Sequence, residues 1–156
     1  MKILDKLNYE IRDLIPSDRN RIFSDWLNSY FKTSQLFKPF SIMDNNTYFE
    51  EQKKLIDSLL KSKVLVISDR KDSYIVTGFC CFTPTPSKIV LHYIYIVNEF
   101  RRLGLGKELI ETMRSSYLNE KSNIEASHYV INRDSNKFLN KFGIKYNPYT
   151  IINTNA

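Results

Sequence analysis

Apolar and polar residues at the start of the chain follow two different spacings. "YEIRDLI" alternates between them, which predicts a strand that begins at Tyr9. The "PSD" that follows is typical of a helix start, with Pro16 or Ser17 near the N-cap. From there apolar residues recur every three or four positions, which predicts a helix with one buried side. These apolar residues are Ile22, Phe23, Trp26, Leu27, Tyr30 and Phe31.

The middle of the chain changes from helical spacing to strands. A second helix is predicted from Thr47 to near Ser62, because Thr47 and Glu50 have the spacing of a capping box. "KVLVIS", "SYIVTGFCCF" and "KIVLHYIYIV" are rich in β-branched and aromatic residues and are separated by polar or proline-containing turns. These segments predict three consecutive antiparallel strands.

The last third of the chain alternates helices and strands. Helical spacing returns at Leu105, Leu109, Ile110, Met113 and Tyr117. "SHYVI" then predicts a short strand, "DSNKFLNKFG" a short helix that ends at Gly143, and "IKYNPYTII" a last strand. A strand followed by a helix and another strand implies a parallel pair. We therefore expect one domain over residues 1–156 with an α/β fold, in which helices cover both faces of a mixed, mostly antiparallel sheet.

Composition places the chain among soluble globular proteins. Hydrophobic residues make up 42% and charged residues 26%, and no apolar run approaches the roughly 20 residues that span a bilayer. Acidic residues interrupt the N-terminal "MKILDKLNYE", so we expect no export and a cytoplasmic location. Cys80 and Cys81 would point to opposite faces of one strand, and are expected to be reduced packing residues.

The net charge of +6, from 23 Lys and Arg against 17 Asp and Glu, favours an anionic ligand. The surplus is spread along the chain, and a phosphate-bearing small molecule accounts for it as well as nucleic acid does. The sequence has no zinc-binding or helix-turn-helix signature and no strand of interleaved basic and aromatic residues. Nucleic acid is therefore the less favoured partner, and the sequence leaves open whether the protein is a monomer or a homodimer.

"RRLGLG" lies between the third of these strands and the helix that follows it. The backbone N–H groups at a helix N-terminus attract phosphate when side chains leave the approach open. Gly104 and Gly106 would leave it open, and Arg101 and Arg102 would add positive charge. The alternative is a solvated basic turn in which the glycines serve geometry alone.

Two known phosphate-binding motifs do not fit this segment. A P-loop needs an earlier glycine and a Ser or Thr after Lys107, and a dinucleotide fingerprint needs a third glycine where Leu109 stands. The segment instead resembles the pyrophosphate-binding motif of the GNAT acetyltransferase superfamily: Arg or Gln, two residues, Gly, one residue, then Gly or Ala. Arg101, Gly104 and Gly106 match that motif in full.

The resemblance extends over nearly the whole chain. "IRDLIPSD" is similar to the family's opening strand and helix start, and "NRDSNKFLNKFGI" resembles its C-terminal helix, with Asn132 and Gly143 at matching separation. The resemblance implies a GNAT-like sheet with a splayed parallel strand pair. It also implies acetyl-CoA or another acyl-CoA as cosubstrate, no metal, and direct acyl transfer to the amine of a small molecule or protein.

The resemblance also implies a set of cofactor-binding residues. Backbone N–H groups from Arg102 to Lys107 would hold the pyrophosphate, and an N–H near Ile96 or Val97 would stabilise the thioester oxyanion. The full set is Ile96, Val97, Arg101, Arg102, Leu103, Gly104, Leu105, Gly106, Lys107, Asn132 and Ser135. A thiol relay through the cysteines is less favoured, since nothing nearby in sequence would activate a thiol.

His92 is the candidate general base. An amine must lose a proton, and some family members place a Glu or His at this position, four residues before Ile96. Strict alternation would put His92 on one face with Val90, Ile94 and Ile96, where burial favours neutral imidazole. The alternative, weighed equally, is a histidine that is only hydrogen-bonded within the core.

The chain departs from the family where a general acid is often found. Leu139 occupies the position of the family's usual Tyr, so Tyr146 or Tyr149 would have to replace it, although sheet packing is the more frequent role for such tyrosines. This departure leaves a second hypothesis open, a GNAT-shaped protein that binds CoA or a partner without catalysis. For the acceptor pocket we name Trp26, Tyr30, Phe37 and Phe40, although aromatic residues at helical spacing are more often core.

Overall fold

The computed structural model describes residues 2–34, 44–117, 123–127, 133–147 and 149–150. The helices are α1 (Ile3–Leu7), α2 (Arg19–Ser34), α3 (Asn45–Leu59), α4 (Leu105–Tyr117) and α5 (Arg133–Lys141). The strands are β1 (Tyr9–Asp13), β2 (Lys63–Asp69), β3 (Val76–Pro84), β4 (Lys88–Ile96), β5 (Asn123–Ala126) and β6 (Lys145–Tyr146). None of the described helices combines the length and apolarity needed to cross a bilayer.

The six strands form one sheet in chain order, β1 to β6. Strands β1 to β4 pair antiparallel, whereas β4 with β5 and β5 with β6 pair parallel. Helix α4 connects β4 to β5, as a parallel pair requires. The mixed, mostly antiparallel sheet predicted from the sequence is confirmed.

Two hydrophobic cores lie on opposite faces of the sheet, which confirms that helices cover both. The first core packs the sheet against α1, α4 and α5, and the second packs it against α2 and α3. Alternation along β3 puts Cys80 and Phe82 in the first core and Phe79 and Cys81 in the second. Fully burying one such large apolar side chain stabilises the fold by about 1.5–3 kcal/mol.

A buried ion pair ties the N-terminal segment to the sheet. The Arg12 guanidinium donates to both Asp18 carboxylate oxygens, at 2.6 and 3.0 Å, and also to Ser68 Oγ and the Ser73 carbonyl. Its hydrogen bond to Asp18 raises the pKa of Arg12. The Asp18 carboxylate also accepts the Ile15 N–H at 3.0 Å, so β1 and the turn before α2 are held by one bidentate contact.

Helix boundaries differ from the sequence prediction at two places. Helix α3 begins at Asn45 rather than Thr47, because Asp44 is its N-cap and accepts the Thr47 N–H at 3.1 Å. Helix α1 was not predicted, since five residues are too few to show a hydrophobic period.

Three strand boundaries also differ. The described part of the fifth strand is "NIEA", which the sequence did not predict, and its Ile124 and Ala126 pack into the first core. Of the predicted "SHYVI", residues 128–131 lie outside the described part. Strand β3 starts at Val76 because Asp72 makes a turn before it, accepting the Tyr74 N–H on its side chain. The last strand shrinks to two residues because Asn147 closes a similar turn on the Tyr149 N–H.

Candidate functional site

The connection from β4 to α4 is an exposed loop with two left-handed residues. A single 3₁₀ turn over Asn98–Phe100 follows β4, and residues 101–104 are exposed. Arg102 has φ 66° and Gly104 has φ 86°. A non-glycine residue in this region costs about 1–2 kcal/mol, so the backbone at Arg102 is strained. This strain was not apparent from the sequence, since Arg rarely marks such a position.

The N-terminus of α4 presents unused donors beside this loop. The first helical hydrogen bond runs from the Glu108 N–H to the Gly104 carbonyl at 3.2 Å. Within the described residues, no backbone carbonyl accepts the N–H groups of Leu105, Gly106 and Lys107, which precede that bond. Donors at the positive end of a 13-residue helix suit a phosphate.

Glycine is favoured at the two loop positions for different structural reasons. Apart from the chain neighbours, no atom of the described residues would lie within 4 Å of a Cβ at Gly104, so glycine is favoured there by its positive φ and not by crowding. A Cβ at Gly106 would lie 2.9 Å from Cε2 of Phe138. Gly106 therefore lets α5 approach α4, a packing role that the predicted anion cradle did not include.

The basic side chains of the loop point in different directions. Arg101 turns back along β4, where its Nε donates to the Ile96 carbonyl at 2.8 Å and its guanidinium lies 5.5 Å from the Tyr95 ring centroid. Lys107 lies 3.7 Å from the Glu111 carboxylate in an exposed pair. Arg102 and Leu103 are exposed, whereas Leu105 is buried in the first core.

Strand β4 continues beyond its described pairing with β5. The ladder joins Lys88–Leu91 to Asn123–Ala126 and closes with the Ser127 N–H donating to the Leu91 carbonyl at 3.0 Å. Residues 92–96 of β4 extend past that point toward the loop. The resemblance to the GNAT superfamily implies that pantetheine binds along the edge of residues 92–96 that faces the β5 side.

The Val97 N–H is used within the sheet, which makes its predicted oxyanion role wrong. It donates to the Thr77 carbonyl at 2.9 Å. Because backbone groups alternate in direction along an antiparallel ladder, the N–H and C=O of Ile96 then point away from β3. The Ile96 contact with Arg101 agrees with this direction and leaves Ile96 as the remaining predicted donor.

A β-bulge at His92 interrupts β4. The register with β3 passes from Tyr93 opposite Cys81 to Leu91 opposite Phe82, so His92 is the extra residue. Beyond it, Ile94 and Ile96 pack against the first core while Tyr93 and Tyr95 pack in the second. The prediction that His92 shares a face with Ile94 and Ile96 is wrong, because it assumed unbroken alternation.

His92 is buried, 3% exposed, and hydrogen-bonded at both ring nitrogens. Nε2 lies 2.8 Å from Thr83 Oγ1, and Nδ1 lies 2.9 Å from Ser127 Oγ. Thr83 Oγ1 in turn donates to Ser62 Oγ at 3.0 Å. The ring thus lies at the end of the described β4–β5 ladder and within a chain of hydroxyls that sequence reasoning missed, since no local motif connects residues 62, 83, 92 and 127.

The other predicted catalytic and cofactor residues are spread over several elements. Tyr146 is 47% exposed on β6, beside Ala126 and separated from β4 by β5. Leu139 packs against the first core and brings no hydroxyl. Ser135 lies in the first turn of α5, with its side chain outside the described part, and Asn132 is outside it altogether.

The predicted acceptor residues are only partly described. Trp26 is fully buried in the second core, where its ring stacks on Tyr93 at 4.8 Å and 6°, so in this structure it lines no open surface. Tyr30 belongs to α2, but its side chain is outside the description. Phe37 and Phe40 lie outside the described residues.

The cysteines are buried thiols on opposite faces. Burial raises the pKa of Cys80 to about 12 and raises that of Cys81 as well, and Cys81 Sγ donates to the Leu59 carbonyl. Neither is a thiolate at neutral pH, which argues against a thiol relay. No group of three His, Cys, Asp or Glu side chains with metal-site geometry occurs within the described ranges.

Comparison with known proteins gives a match to one family. The family model described as the acetyltransferase (GNAT) family matches residues 21–144. Comparison with curated proteins gives no match.

Solved structures share the fold at low sequence identity. A putative acetyltransferase from Pyrococcus furiosus has a TM-score of 0.62 at 17% identity, over 85% of this chain and 91% of that one. AAC(6')-Iy, in complex with a bisubstrate analogue of CoA and acetylneamine, has a TM-score of 0.52 at 15% identity, over 88% of this chain and 90% of that one. The ribosomal-protein-alanine N-acetyltransferase from Brucella melitensis has a TM-score of 0.51 at 15% identity, over 85% of this chain and 89% of that one.

Proposed function

The chain belongs to the GNAT acetyltransferase family, and we propose that it transfers an acyl group, acetyl in the first instance, from acyl-CoA directly to an amine. The observation that carries this proposal is the exposed loop of residues 101–104, which leads into three α4 N–H groups that no backbone carbonyl of the described residues accepts. That loop matches the family's pyrophosphate motif at Arg101, Gly104 and Gly106. The acceptor amine, on a small molecule or a protein, is left open.

The loop residues fit a pyrophosphate. The N–H groups of Leu105, Gly106 and Lys107 have no backbone carbonyl acceptor among the described residues. Apart from its chain neighbours, no described residue would come within 4 Å of a Cβ at Gly104. Arg102 adds an exposed positive charge, and Arg101 can leave its exposed contact with Ile96 at little cost. The dianionic group would thus be held by backbone donors and neutralised by the two arginines.

The edge of β4 at residues 92–96, on the side away from β3, would hold the pantetheine arm and the thioester. The Ile96 N–H points away from β3 and can donate to the carbonyl oxygen that becomes negative during transfer. Asn132 and Ser135, at matching family positions, are proposed to lie beside the same arm. When bound, acyl-CoA supplies an activated acyl group, so the protein's own task is to orient it and to manage protons.

Proton transfer in this site would centre on His92. It is a titratable side chain at the end of the described β4–β5 ladder, and general base catalysis contributes typically 10²–10⁴-fold to a rate. The reaction depends less on a general acid to protonate the leaving group, because thiols have ordinary pKa values near 8.5 and leave readily as thiolates. Leu139 in place of Tyr is therefore compatible with transfer, with Tyr146 as a weaker acid candidate.

A second candidate function is CoA binding without transfer, which the apolar Leu139 favours. The two functions share the loop and differ at His92. A catalyst loses turnover when His92 becomes Gln, whereas a binding protein keeps its CoA affinity and never shows turnover.

The proposed function is tested by mass-spectrometric detection of acetyl transfer from acetyl-CoA to neamine, spermidine and a peptide with an N-terminal alanine. Wild-type protein should acetylate at least one class of amine. Gly104→Glu should abolish it, because the new carboxylate meets the bound pyrophosphate. Gly143→Glu is the matched control: Gly143 also has positive φ, 66°, and no described residue within 4 Å of a Cβ apart from its chain neighbours, but it follows the C-terminus of α5 instead of preceding α4. Equal activity in the two variants, or binding without transfer by the wild type, would overturn the proposal.

A further inference from the structure

Four polar side chains form a continuous hydrogen-bonded chain across the sheet. It runs from Ser127 Oγ to His92 Nδ1 at 2.9 Å, from His92 Nε2 to Thr83 Oγ1 at 2.8 Å, and from Thr83 Oγ1 to Ser62 Oγ at 3.0 Å. Ser127 and His92 are buried, at 5% and 3% exposure, whereas Thr83 and Ser62 are half-buried. We refer to these residues as the hydroxyl–imidazole chain.

The two ends of this chain lie in different places. Ser127 is the last residue of the described β4–β5 ladder, and residues 92–96 of β4 run from there toward the loop of residues 101–104. Ser62 lies in the turn between α3 and β2, directly before Lys63, which pairs with Phe82 near the end of β3. Because β2 begins where β3 ends, this is the edge of the sheet opposite the loop. The chain therefore connects the buried middle of β4 with a partly solvated edge.

The donors in the chain can be ordered in one direction. With Thr83 donating to Ser62, the Thr83 oxygen accepts from Nε2–H of His92. Nδ1 is left to accept from the Ser127 hydroxyl at 2.9 Å, in place of the longer 3.5 Å contact in which that hydroxyl donates to the Leu91 carbonyl. Every link then has one donor and one acceptor. Neither ring nitrogen can reach an amine without giving up one of these hydrogen bonds, so direct proton abstraction by the imidazole is disfavoured.

We propose that the hydroxyl–imidazole chain carries protons between the acyl-transfer site and solvent, with Ser127 rather than His92 as the group that meets the amine. This inference rests on the proposed acyltransferase function. As the C–N bond forms, the nitrogen's surplus proton moves to Ser127 Oγ while the Ser127 proton moves to Nδ1. The Nε2 proton then passes to Thr83, the Thr83 proton to Ser62, and the Ser62 proton to water.

The second half of the reaction returns the chain to its starting order. As the C–S bond breaks and the thiolate leaves, a proton from water enters at Ser62 and passes back through Thr83 and His92 to Ser127, which protonates sulfur. An amine bound in its neutral form loses one proton and the sulfur gains one, so the transfer balances. The chain thereby supplies the proton that a tyrosine at position 139 would otherwise give.

The test replaces one hydroxyl in the middle of the chain and restores it. Thr83→Val is nearly isosteric but removes the link, and kcat for the best amine should fall by about tenfold or more while KM for acetyl-CoA stays within about twofold. Thr83→Ser restores the hydroxyl and should recover most of the lost turnover. The solvent deuterium isotope effect on kcat should differ between these two variants, which a packing defect would not produce.

Thr77→Val is the matched control. Thr77 also lies on β3, where it is fully buried, whereas Thr83 is half-buried; the Thr77 hydroxyl lies 3.4 Å from the Ile67 carbonyl and is not part of the chain. Its loss should leave kcat unchanged. If Thr83→Val keeps wild-type kcat, or if Thr83→Ser is as impaired as Thr83→Val, the proton chain is wrong although the enzyme is active. Wild-type protein that transfers acetyl to no amine would instead remove the proposed function and the chain's catalytic role with it.

Discussion

The Arg–Gly loop of residues 101–107 and the hydroxyl–imidazole chain are both polar features that meet strand β4, but they are built differently. The loop is mostly exposed, contiguous in sequence and defined by backbone geometry, with Arg102 and Gly104 in left-handed conformations. The hydroxyl–imidazole chain joins side chains up to 65 residues apart in sequence and centres on the buried β-bulge at His92. Changes in the loop should therefore affect ligand affinity more than folding, and changes in the chain should affect both stability and turnover.

The largest effect on stability is expected from His92→Ala. It leaves the hydroxyls of Thr83 and Ser127 beside a cavity in a buried site, and each lost partner costs about 1–3 kcal/mol. We predict a fall of about 2–4 kcal/mol in the free energy of unfolding, measured by urea denaturation. Ser87→Ala at an exposed site serves as control. A fall of under about 0.5 kcal/mol, the range of surface substitutions, would show that the chain does not stabilise the core.

Gly106→Ala tests the part of the loop that packs against α5. The new Cβ would meet Phe138 at 2.9 Å, so we predict a loss of about 1–3 kcal/mol from overpacking. Phe138→Leu should lose part of its own packing but relieve the clash, and the double-mutant cycle should show a coupling of at least about 0.5 kcal/mol. Additive losses would mean that Gly106 serves anion access alone.

These two predictions concern features that the sequence revealed to different extents. The loop, its preceding strand and helix α4 were predicted because their signals are local: β-branched residues, the "RRLGLG" pattern and helical spacing. The bulge at His92 was not, since it depends on how β3 and β4 align along their whole length. Ser127 and Thr83 became site residues only through contacts across the sheet, and Gly106 acquired its packing reason only once α5 was placed.

Arg102→Gly should separate stability from binding within the loop. Glycine adopts φ 66° without strain, so the free energy of unfolding should rise by up to about 1 kcal/mol, measured by chemical denaturation. Acetyl-CoA affinity should fall at the same time, because a positive charge beside the pyrophosphate is lost. If the Arg102→Gly variant is more stable and binds acetyl-CoA with wild-type affinity, Arg102 has no part in binding.

The smallest effect is expected from Glu125→Gln on β5. Hydrogen bonds from Lys88 and then Thr150, at 2.9 and 2.8 Å, lower the pKa of Glu125 below its ordinary value of 4.5. Its stabilising contribution is complete above that ordinary value and is lost as the pH falls through the folded pKa. Thermal melts from pH 7 to pH 3 should therefore show a shallower acid loss in Glu125→Gln than in the wild type. If the melting temperatures of Glu125→Gln and the wild type fall by the same amount between pH 7 and pH 3, the assigned role of this carboxylate is wrong.

The most direct test of the central claim, that the Arg–Gly loop holds the pyrophosphate of acyl-CoA, is a calorimetric comparison of acetyl-CoA with S-acetylpantetheine. The second ligand keeps the thioester arm but lacks the pyrophosphate and nucleotide. Binding of acetyl-CoA should be at least about tenfold tighter, a difference of 1.4 kcal/mol or more, and Gly104→Glu should remove that advantage. Equal affinity for the two ligands, or no binding of acetyl-CoA by the wild type, would contradict the account.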